Sequence, residues 1–335
     1  MSFKLLVHIV TFNSADTIRH CLQSIPKDSR IAGLVTDNNS SDDSAGIVER
    51  EFPEVQLIRS TVNLGYAGAH NRGFAEAVRG GFDYILLLNP DATLGADFLE
   101  NFRSALLQSP GYAFYTPKIL RVDRDMLPLS PPLIDAAGMV LNSQARHLDR
   151  GSEETDRGQF DESSDVFGGT GAALFVSTAA LKRLELRGAS RDQDKFKIYP
   201  QLKVNEEQRL QVFDEAFFAF REDAELAWRA KNIGLKTRYI PKVKVYHRRS
   251  VTPTRRAQIQ PEINSWSVRN RFLMQIVNFR ITRDLGMLLP GILIWNLVVL
   301  LGVFFKERSS LQGLREVVAL LPRAWERRTI LKNMS

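Results

Sequence analysis

Short apolar runs alternate with amphipathic stretches through the first third of the chain. Residues 5–10, 31–36, 55–59 and 84–88 have strand length and mainly apolar character, and residues 15–24, 44–51 and 68–79 between them carry helical periodicity. Strands without polar alternation are buried on both faces, which predicts an α/β fold with a Rossmann-like, mostly parallel sheet flanked by helices. In such sheets ligands bind beyond the carboxyl ends of the strands. Those ends read Thr11-Phe12-Asn13, Asp37-Asn38-Asn39-Ser40 and Asn89-Pro90-Asp91, so polar side chains stand where a ligand site is expected.

Farther along, the pattern loosens. Residues 145–165 are rich in charge, Gly and Ser and read as a mobile loop, and 187–211 form a second polar insertion. Between them, 168–181 reads as a Gly-rich turn, a strand and a short helix. An aromatic run over 212–218 precedes a helix over about 222–231, closed near Gly234, with strands over 235–240 and 243–246. Residues 285–305, between Asp284 and Lys306, hold no charge.

With 335 residues, 44% hydrophobic and 25% charged, the chain can bury a large core. Its length favours a main domain over residues 1–250 and a helical, membrane-associating C-terminal region over 251–335. The single cysteine, Cys21, excludes an intrachain disulfide and points to a cytoplasmic address. The first ten residues lack a signal-peptide pattern and read as the start of a buried strand. The net charge of +7 is unevenly spread: residues 251–335 hold 13 Lys and Arg against 5 Asp and Glu. Basic and aromatic residues do not interleave there, so no nucleic acid is expected. Basic residues beside the uncharged 285–305 point instead to an anionic membrane surface, with peripheral attachment on the cytoplasmic face of the inner membrane. A spanning helix and a buried contact in a homo-oligomer are the other readings of that segment.

Four places carry candidate chemistry. Asp91, just past a strand end, is suited to a divalent cation such as Mg²⁺ or Mn²⁺, which prefer oxygen ligands; a simple Asn-Pro-Asp turn is the bland reading. Asp37 can accept the N–H of a pyrimidine ring, while Ser41 to Ser44 cap the next helix. The small-residue loop Asn63-Leu64-Gly65-Tyr66-Ala67-Gly68-Ala69-His70-Asn71 lets backbone approach an anionic ligand at a helix start. Glu222 and Asp223 open a helix, where acids also serve the helix dipole, yet the preceding aromatic run would bury them. Asp223 is the candidate general base and Glu222 its ligating or orienting neighbour, with the reverse open. His247, followed by Arg248 and Arg249, can complete a metal site or contact phosphate.

In order, these segments resemble the family 2 glycosyltransferases of the GT-A fold, particularly bacterial rhamnosyltransferase-like members, over about the first 250 residues. The resemblance implies that Thr11, Asn13 and Asp37 border a nucleotide, joined by Asn63, Gly65, Asn71 and Asn89. It makes Asp91 the second acid of the family's D-x-D motif, Asp223 the base, and His247 a partner in the metal site. Asn89 stands where the first aspartate would be, and the insertion over 187–211 departs from the usual short connection, in a position to shape the acceptor site. The implied activity is inverting transfer from a nucleotide diphosphate sugar, dTDP-rhamnose favoured, to a glycan or lipid-linked glycan in surface polysaccharide assembly. Galactofuranose or another hexose, a nucleotidyltransferase and a non-catalytic membrane scaffold are the alternatives.

Overall fold

Every residue of β1 (Leu5–Thr11) is buried, and its alternate side chains enter two separate clusters. Leu5, Val7 and Ile9 face α1 (Ile18–Gln23) together with Val48 and Phe102; Leu6 faces the opposite layer with Phe74, Leu181 and Leu226. This is the physical meaning of an apolar run without alternation: both faces of the strand are covered. The computed structural model describes residues 3–186, 188–249 and 260–333, and the boundary expected at residue 250 lies outside them.

The chain continues through β2 (Ile31–Asp37), α2 (Ser44–Glu51), β3 (Gln56–Arg59), α3 (Gly65–Arg79) and β4 (Tyr84–Leu88). Strands β3, β2, β1 and β4 lie side by side, all parallel, with Thr11 paired to Asp37 at the polar edge. After β5 (Ala92–Leu94), α4 (Phe98–Gln108) and β6 (Phe114–Arg121) come the short strands β7 (Ile134–Ala136), β8 (Met139–Leu141), β9 (His147–Asp149) and β10 (Ser164–Val166). Strand β11 (Ala173–Ser177) then inserts antiparallel between β4 and β6, and α5 (Thr178–Leu184) follows. Helix α6 (Glu222–Asn232) leads into β12 (Thr237–His247), parallel to β6. Strand β12 merges two expected strands, and its register shifts between Ile240 and Lys244, around Pro241, which lacks a ladder N–H.

Residues 145–165, read as a loop, instead supply β9, which pairs with β8, and β10, which pairs with β12. The charge that suggested mobility is neutralised internally: Lys118, buried in β6, pairs with Asp156 at 3.0 Å and with Asp161.

Two of the C-terminal helices, α7 (Pro261–Asn278) and α10 (Leu311–Asn333), pack behind α6. Leu273, Met274, Leu320 and Ala324 share a cluster with Ala224 and Trp228. Much of the excess positive charge is spent there. Arg323 reaches Asp214 at 2.6 Å and Asp192 at 2.8 Å, Arg327 also meets Asp192, and Arg269 pairs with Glu316 at 2.7 Å. Between them, α8 (Ile281–Asp284), a π-helical stretch Leu288–Trp295 around Pro290, and α9 (Asn296–Phe305) form one apolar 25-residue helical segment that is only 11% buried over its most apolar window. It is long and apolar enough to cross a membrane.

Candidate active site

Two cavities open beyond the polar edge of the sheet and share a wall of Tyr66, Asn89, Asp91 and Ala219. The larger, about 770 Å³, is lined by the β1 and α3 ends, including Phe12, Asn13, Asn63 and Gly65, and by Trp266 of α7. The smaller, about 440 Å³, holds Asp91, His247, Glu222 and Asp223 together with Asp135, His147, Asp149 and Arg221. Residues scattered from 66 to 267 of the chain thus meet in one compartment.

The loop of small residues is fixed by the chain that follows β2. Asn38 donates to Asn63 Oδ1 at 2.9 Å and accepts the Leu64 N–H at 2.8 Å. Asn13, in the left-handed region at φ 54, accepts the Ser41 N–H at 2.8 Å. Thr11 and Asp37 line neither cavity; they lie buried beside one another at the sheet edge. Asp37 Oδ2 accepts the Ser40 N–H at 3.2 Å, while Asp37 Oδ1 and Thr11 Oγ1 are buried without a hydrogen-bond partner. An orphaned buried acceptor is costly unless a ligand donor reaches it.

Asn71 is a correction. It is fully buried, accepts the N–H groups of Val212 and Phe213 at 3.0 and 2.8 Å, and donates to the Phe213 carbonyl at 2.9 Å. Its amide is consumed in clamping the aromatic run to α3, which removes it from the nucleotide set.

Asp223 is held by backbone. The Gly171 N–H donates to Oδ2 at 2.9 Å and the Ala224 N–H to Oδ1 at 2.7 Å. A side chain at Gly171 would place its Cβ 2.6 Å from the Tyr66 hydroxyl, which itself donates to the Gly171 carbonyl at 2.7 Å. Burial raises the Asp223 carboxyl above its ordinary value, and the two N–H bonds limit the rise. Glu222 is pushed well higher, by burial and then by the Asp223 charge, and its Oε2 has no partner. Both carboxyls are thus raised, Glu222 more than Asp223, so that Asp223 is the more readily ionised of the two.

The turn that delivers these acids is strained. Phe218, Phe220 and Arg221 all have φ between 62 and 69, costly for residues with side chains. Asn270 of α7 compensates by donating to the carbonyls of Phe217, Ala219 and Phe220 at 2.7–3.0 Å. The insertion over 187–211 braces the same turn from the other side. Lys195 and Arg209 pair with the fully buried Glu215 at 2.9 and 2.7 Å, and Tyr199 stacks on Phe218 at 4.5 Å. None of its described residues lines either cavity, so it supports the acids rather than facing an acceptor directly.

His247 bridges two acids, with Nδ1 2.8 Å from Asp135 and Nε2 3.2 Å from Asp91. Burial alone would lower its pKa; the Asp135 and Asp91 bonds outweigh that and hold it at about 10. Among the described residues no group of three His, Cys, Asp or Glu side chains converges as a metal cage. The two-donor set of Asp91 and His247 Nε2 nevertheless fits a Mg²⁺- or Mn²⁺-type ion, which commonly takes one or two protein ligands and completes its shell with water and phosphate. Asp135 behind Nδ1 is the outer partner that fixes a ligating histidine. Arg249 does not face the larger cavity but pairs with Asp135 and Asp149 at 3.1 and 2.8 Å; Arg248 lines that cavity and pairs with Asp16 at 2.7 Å.

Comparison with solved structures places this architecture. The Pyrobaculum calidifontis mannosyltransferase PcManGT, in complex with GDP-Man and Mn²⁺, matches all of this chain (100%) and 86% of its own at TM-score 0.52 and 15% identity. S. aureus TarS 1–349 matches over 98% of this chain and 90% of its own at TM-score 0.52 and 15% identity. GalNAc-T7, solved with UDP, GalNAc and Mn²⁺, matches at TM-score 0.56 and 12% identity over 82% of this chain, which spans only 48% of GalNAc-T7. A comparison with curated proteins finds no match by sequence. The fold is that of the GT-A glycosyltransferases. Residues 6–170 match the family model of glycosyl transferase family 2. The bacterial rhamnosyltransferase-like detail stays a proposal.

Proposed function

We propose that the chain is an inverting, metal-dependent glycosyltransferase that moves a sugar, dTDP-rhamnose being the favoured donor, to a glycan or lipid-linked glycan in surface polysaccharide assembly. The observation that carries this reading is Asp223, fixed by two N–H groups in the compartment that also holds Asp91 and His247. The nucleotide occupies the larger cavity, with Asn13, Asn63, Gly65 and Asn89 along its wall. The sugar crosses the shared wall into the smaller cavity.

There Asp223 takes the proton of an acceptor hydroxyl, whose oxygen bonds to the anomeric carbon. The bond from that carbon to the diphosphate oxygen breaks on the opposite face, and its electron pair leaves with the nucleoside diphosphate. One displacement inverts the centre. Asp91 and His247 are the pair that would hold a divalent cation, which supplies positive charge beside a departing diphosphate. Glu222, beside Asp223 in the same cavity, orients the acceptor. The neighbours solved with Mn²⁺ and with nucleotide sugars support the same assignment.

The exposed apolar segment Ile281–Phe305 attaches the enzyme to the cytoplasmic surface of the inner membrane, with Leu289, Leu293 and Leu297 each more than half exposed. Mass spectrometric screening of nucleotide sugars, with Mg²⁺ or Mn²⁺ and donor hydrolysis as readout, tests the assignment. Hydrolysis of a dTDP-sugar, lost on chelation, is expected; no turnover of any nucleotide sugar overturns it.

A further inference from the structure

Two fully buried histidines, His8 of β1 and His70 of α3, take no part in the chemistry above. Their Nδ1 atoms are 2.9 Å apart, and His8 Nε2 lies 2.9 Å from Thr36 Oγ1 of β2. Burial holds both below their ordinary pKa, so the rings are neutral and one donates its proton to the other. Gly73 makes room for the pair, because a Cβ there would collide with the His8 ring. The His70 ring backs that of Tyr66 at 4.2 Å, and Phe213 packs on Tyr66 at 5.8 Å. Tyr66 is therefore seated on a polar brace that reaches into the sheet, while it lines both cavities.

What the brace holds is the Tyr66 hydroxyl. It donates to the Gly171 carbonyl at 2.7 Å, and the N–H of the same glycine donates to Asp223 Oδ2 at 2.9 Å. Gly171 stands two residues ahead of the β11 ladder, which opens with Ala173 on Leu88, so a side chain rather than a neighbouring strand fixes its carbonyl. The next residue of α3, Ala67, donates its N–H to the Phe218 carbonyl at 3.0 Å, and a Cβ on Gly65 would collide with that carbonyl. Phe218 begins the strained turn that delivers Glu222 and Asp223. Both segments that meet at Asp223 are thus tied to adjacent residues in the first turn of α3: the glycine entry of β11 through Tyr66, and the acid-bearing turn through Ala67. Burial, then the nearby carboxyls of Glu222 and Asp223, raise the phenol well above 10, which keeps its hydroxyl a donor.

We propose that Tyr66 is a positioning residue for the transfer reaction: its hydroxyl sets the Gly171 peptide, and that peptide sets Asp223. The inference rests on the reading of Asp223 as the base and adds the residue that aims it. Tyr66 touches no reacting atom in this role; it acts through one glycine. Misplacing a catalytic group by about 1 Å costs roughly a hundredfold in rate. Tyr66→Phe keeps the ring on its His70 seat and removes only the donor that holds Gly171. The effect therefore falls on turnover, while the cavity wall that meets the nucleotide stays in place.

The test pairs kinetics with hydrogen exchange on the full chain. The kinetic substrate is whichever of dTDP-rhamnose, UDP-sugars and GDP-sugars the wild type hydrolyses fastest. Tyr66→Phe is expected to lower kcat about ten- to a hundredfold with KM for that donor within about twofold. Exchange at the Gly171 amide, read without any ligand, is expected to quicken about tenfold. Gly171→Ala probes the same contact from its other partner, since the new Cβ would stand 2.6 Å from the hydroxyl oxygen. Its kcat is expected to fall at least as far, and adding Tyr66→Phe is expected to restore part of the loss because the colliding oxygen is gone. Unchanged kcat in Tyr66→Phe, a loss confined to KM, unchanged exchange at Gly171, or losses that simply multiply in the double variant would each overturn the inference. Wild-type protein that turns over no nucleotide sugar removes the transferase reading instead, and quickened exchange would then still show the Tyr66 clamp on the Gly171–Asp223 bond.

Discussion

Gly171 and Asp223, 52 positions apart, are joined by one hydrogen bond of 2.9 Å from amide to carboxylate. The bond ties the entry of β11 to the start of α6, so the proposed base is placed by the sheet as well as by its own helix. Asp223→Asn keeps that acceptor but cannot take a proton. Turnover is expected to fall roughly 10²- to 10⁴-fold with nucleotide affinity unchanged. Single-turnover kinetics alongside nucleotide titration check it, and near-normal transfer would remove Asp223 from the mechanism.

Acid pH should silence the enzyme earlier than an ordinary carboxylate would suggest. The folded pKa of Asp223 is raised above 3.8 by burial, and the base works only when ionised. Activity is therefore present above the raised value and lost as pH falls through it. A profile of kcat/KM against pH, with Glu222→Gln for comparison, should show one acid limb displaced upward and retained in that variant.

Cation binding should depend on a residue outside the ligand pair. Asp135 holds His247 Nδ1 at 2.8 Å, and its own carboxyl is kept at about 2 because the bonds from His247 and Arg249 outweigh burial. Asp135→Asn is expected to weaken Mn²⁺ binding about 10- to 100-fold. Titration followed by electron paramagnetic resonance reads this directly, and unchanged affinity would exclude the Asp91–His247 pair as the metal site.

Arg323 is 2% exposed and joins Asp192 to Asp214. Removing it by Arg323→Met leaves the buried Asp214 with Arg327 at 3.6 Å and takes one of three cations from Asp192, which keeps Arg327 and Lys195, at a cost of up to about 3–5 kcal/mol. Both acids are held below their ordinary range: burial opposes this, and the arginines outweigh it. Stability from this cluster is thus present above the ordinary value of 3.8 and fades as pH falls through the depressed ones. Urea midpoints at neutral and acid pH should show the gap between wild type and variant narrowing in acid.

Vesicle binding should reside in the exposed helix. Burying a leucine is worth roughly 1.5–3 kcal/mol, so the double change Leu293→Glu with Leu297→Glu is expected to lower partitioning into anionic vesicles by about a hundredfold or more. Co-sedimentation measures it; equal sedimentation would locate attachment elsewhere.

Local signals carried the sheet because β1 is buried throughout and β2 and β4 are buried over their last four residues, and the acids at 91, 222 and 223 were picked out by standing beside apolar runs. What stayed hidden were residues whose neighbours are distant in sequence. Asp135 lies on a three-residue strand, and only pairing with β6 reveals that it meets His247, 112 positions away. His147 sat in a segment whose charges look solvated until Lys118 is found between Asp156 and Asp161. Tyr66 passed as one member of a small-residue loop, with no local cue to its bond with Gly171. Asn71 misled in the other direction, since a polar side chain at a helix start looks the same whether it meets a ligand or the backbone of residue 213.

The arginine clamp of α10 has a practical consequence for anyone seeking a smaller, more soluble version of this enzyme. Cutting the chain ahead of the apolar segment would discard Arg323 and Arg327 with it, leaving Asp214 bare next to the turn that presents Glu222 and Asp223. Solubility is better sought by repainting the outer face of residues 285–305 with polar side chains, because the last helix is a structural buttress of the catalytic turn and not a detachable tail.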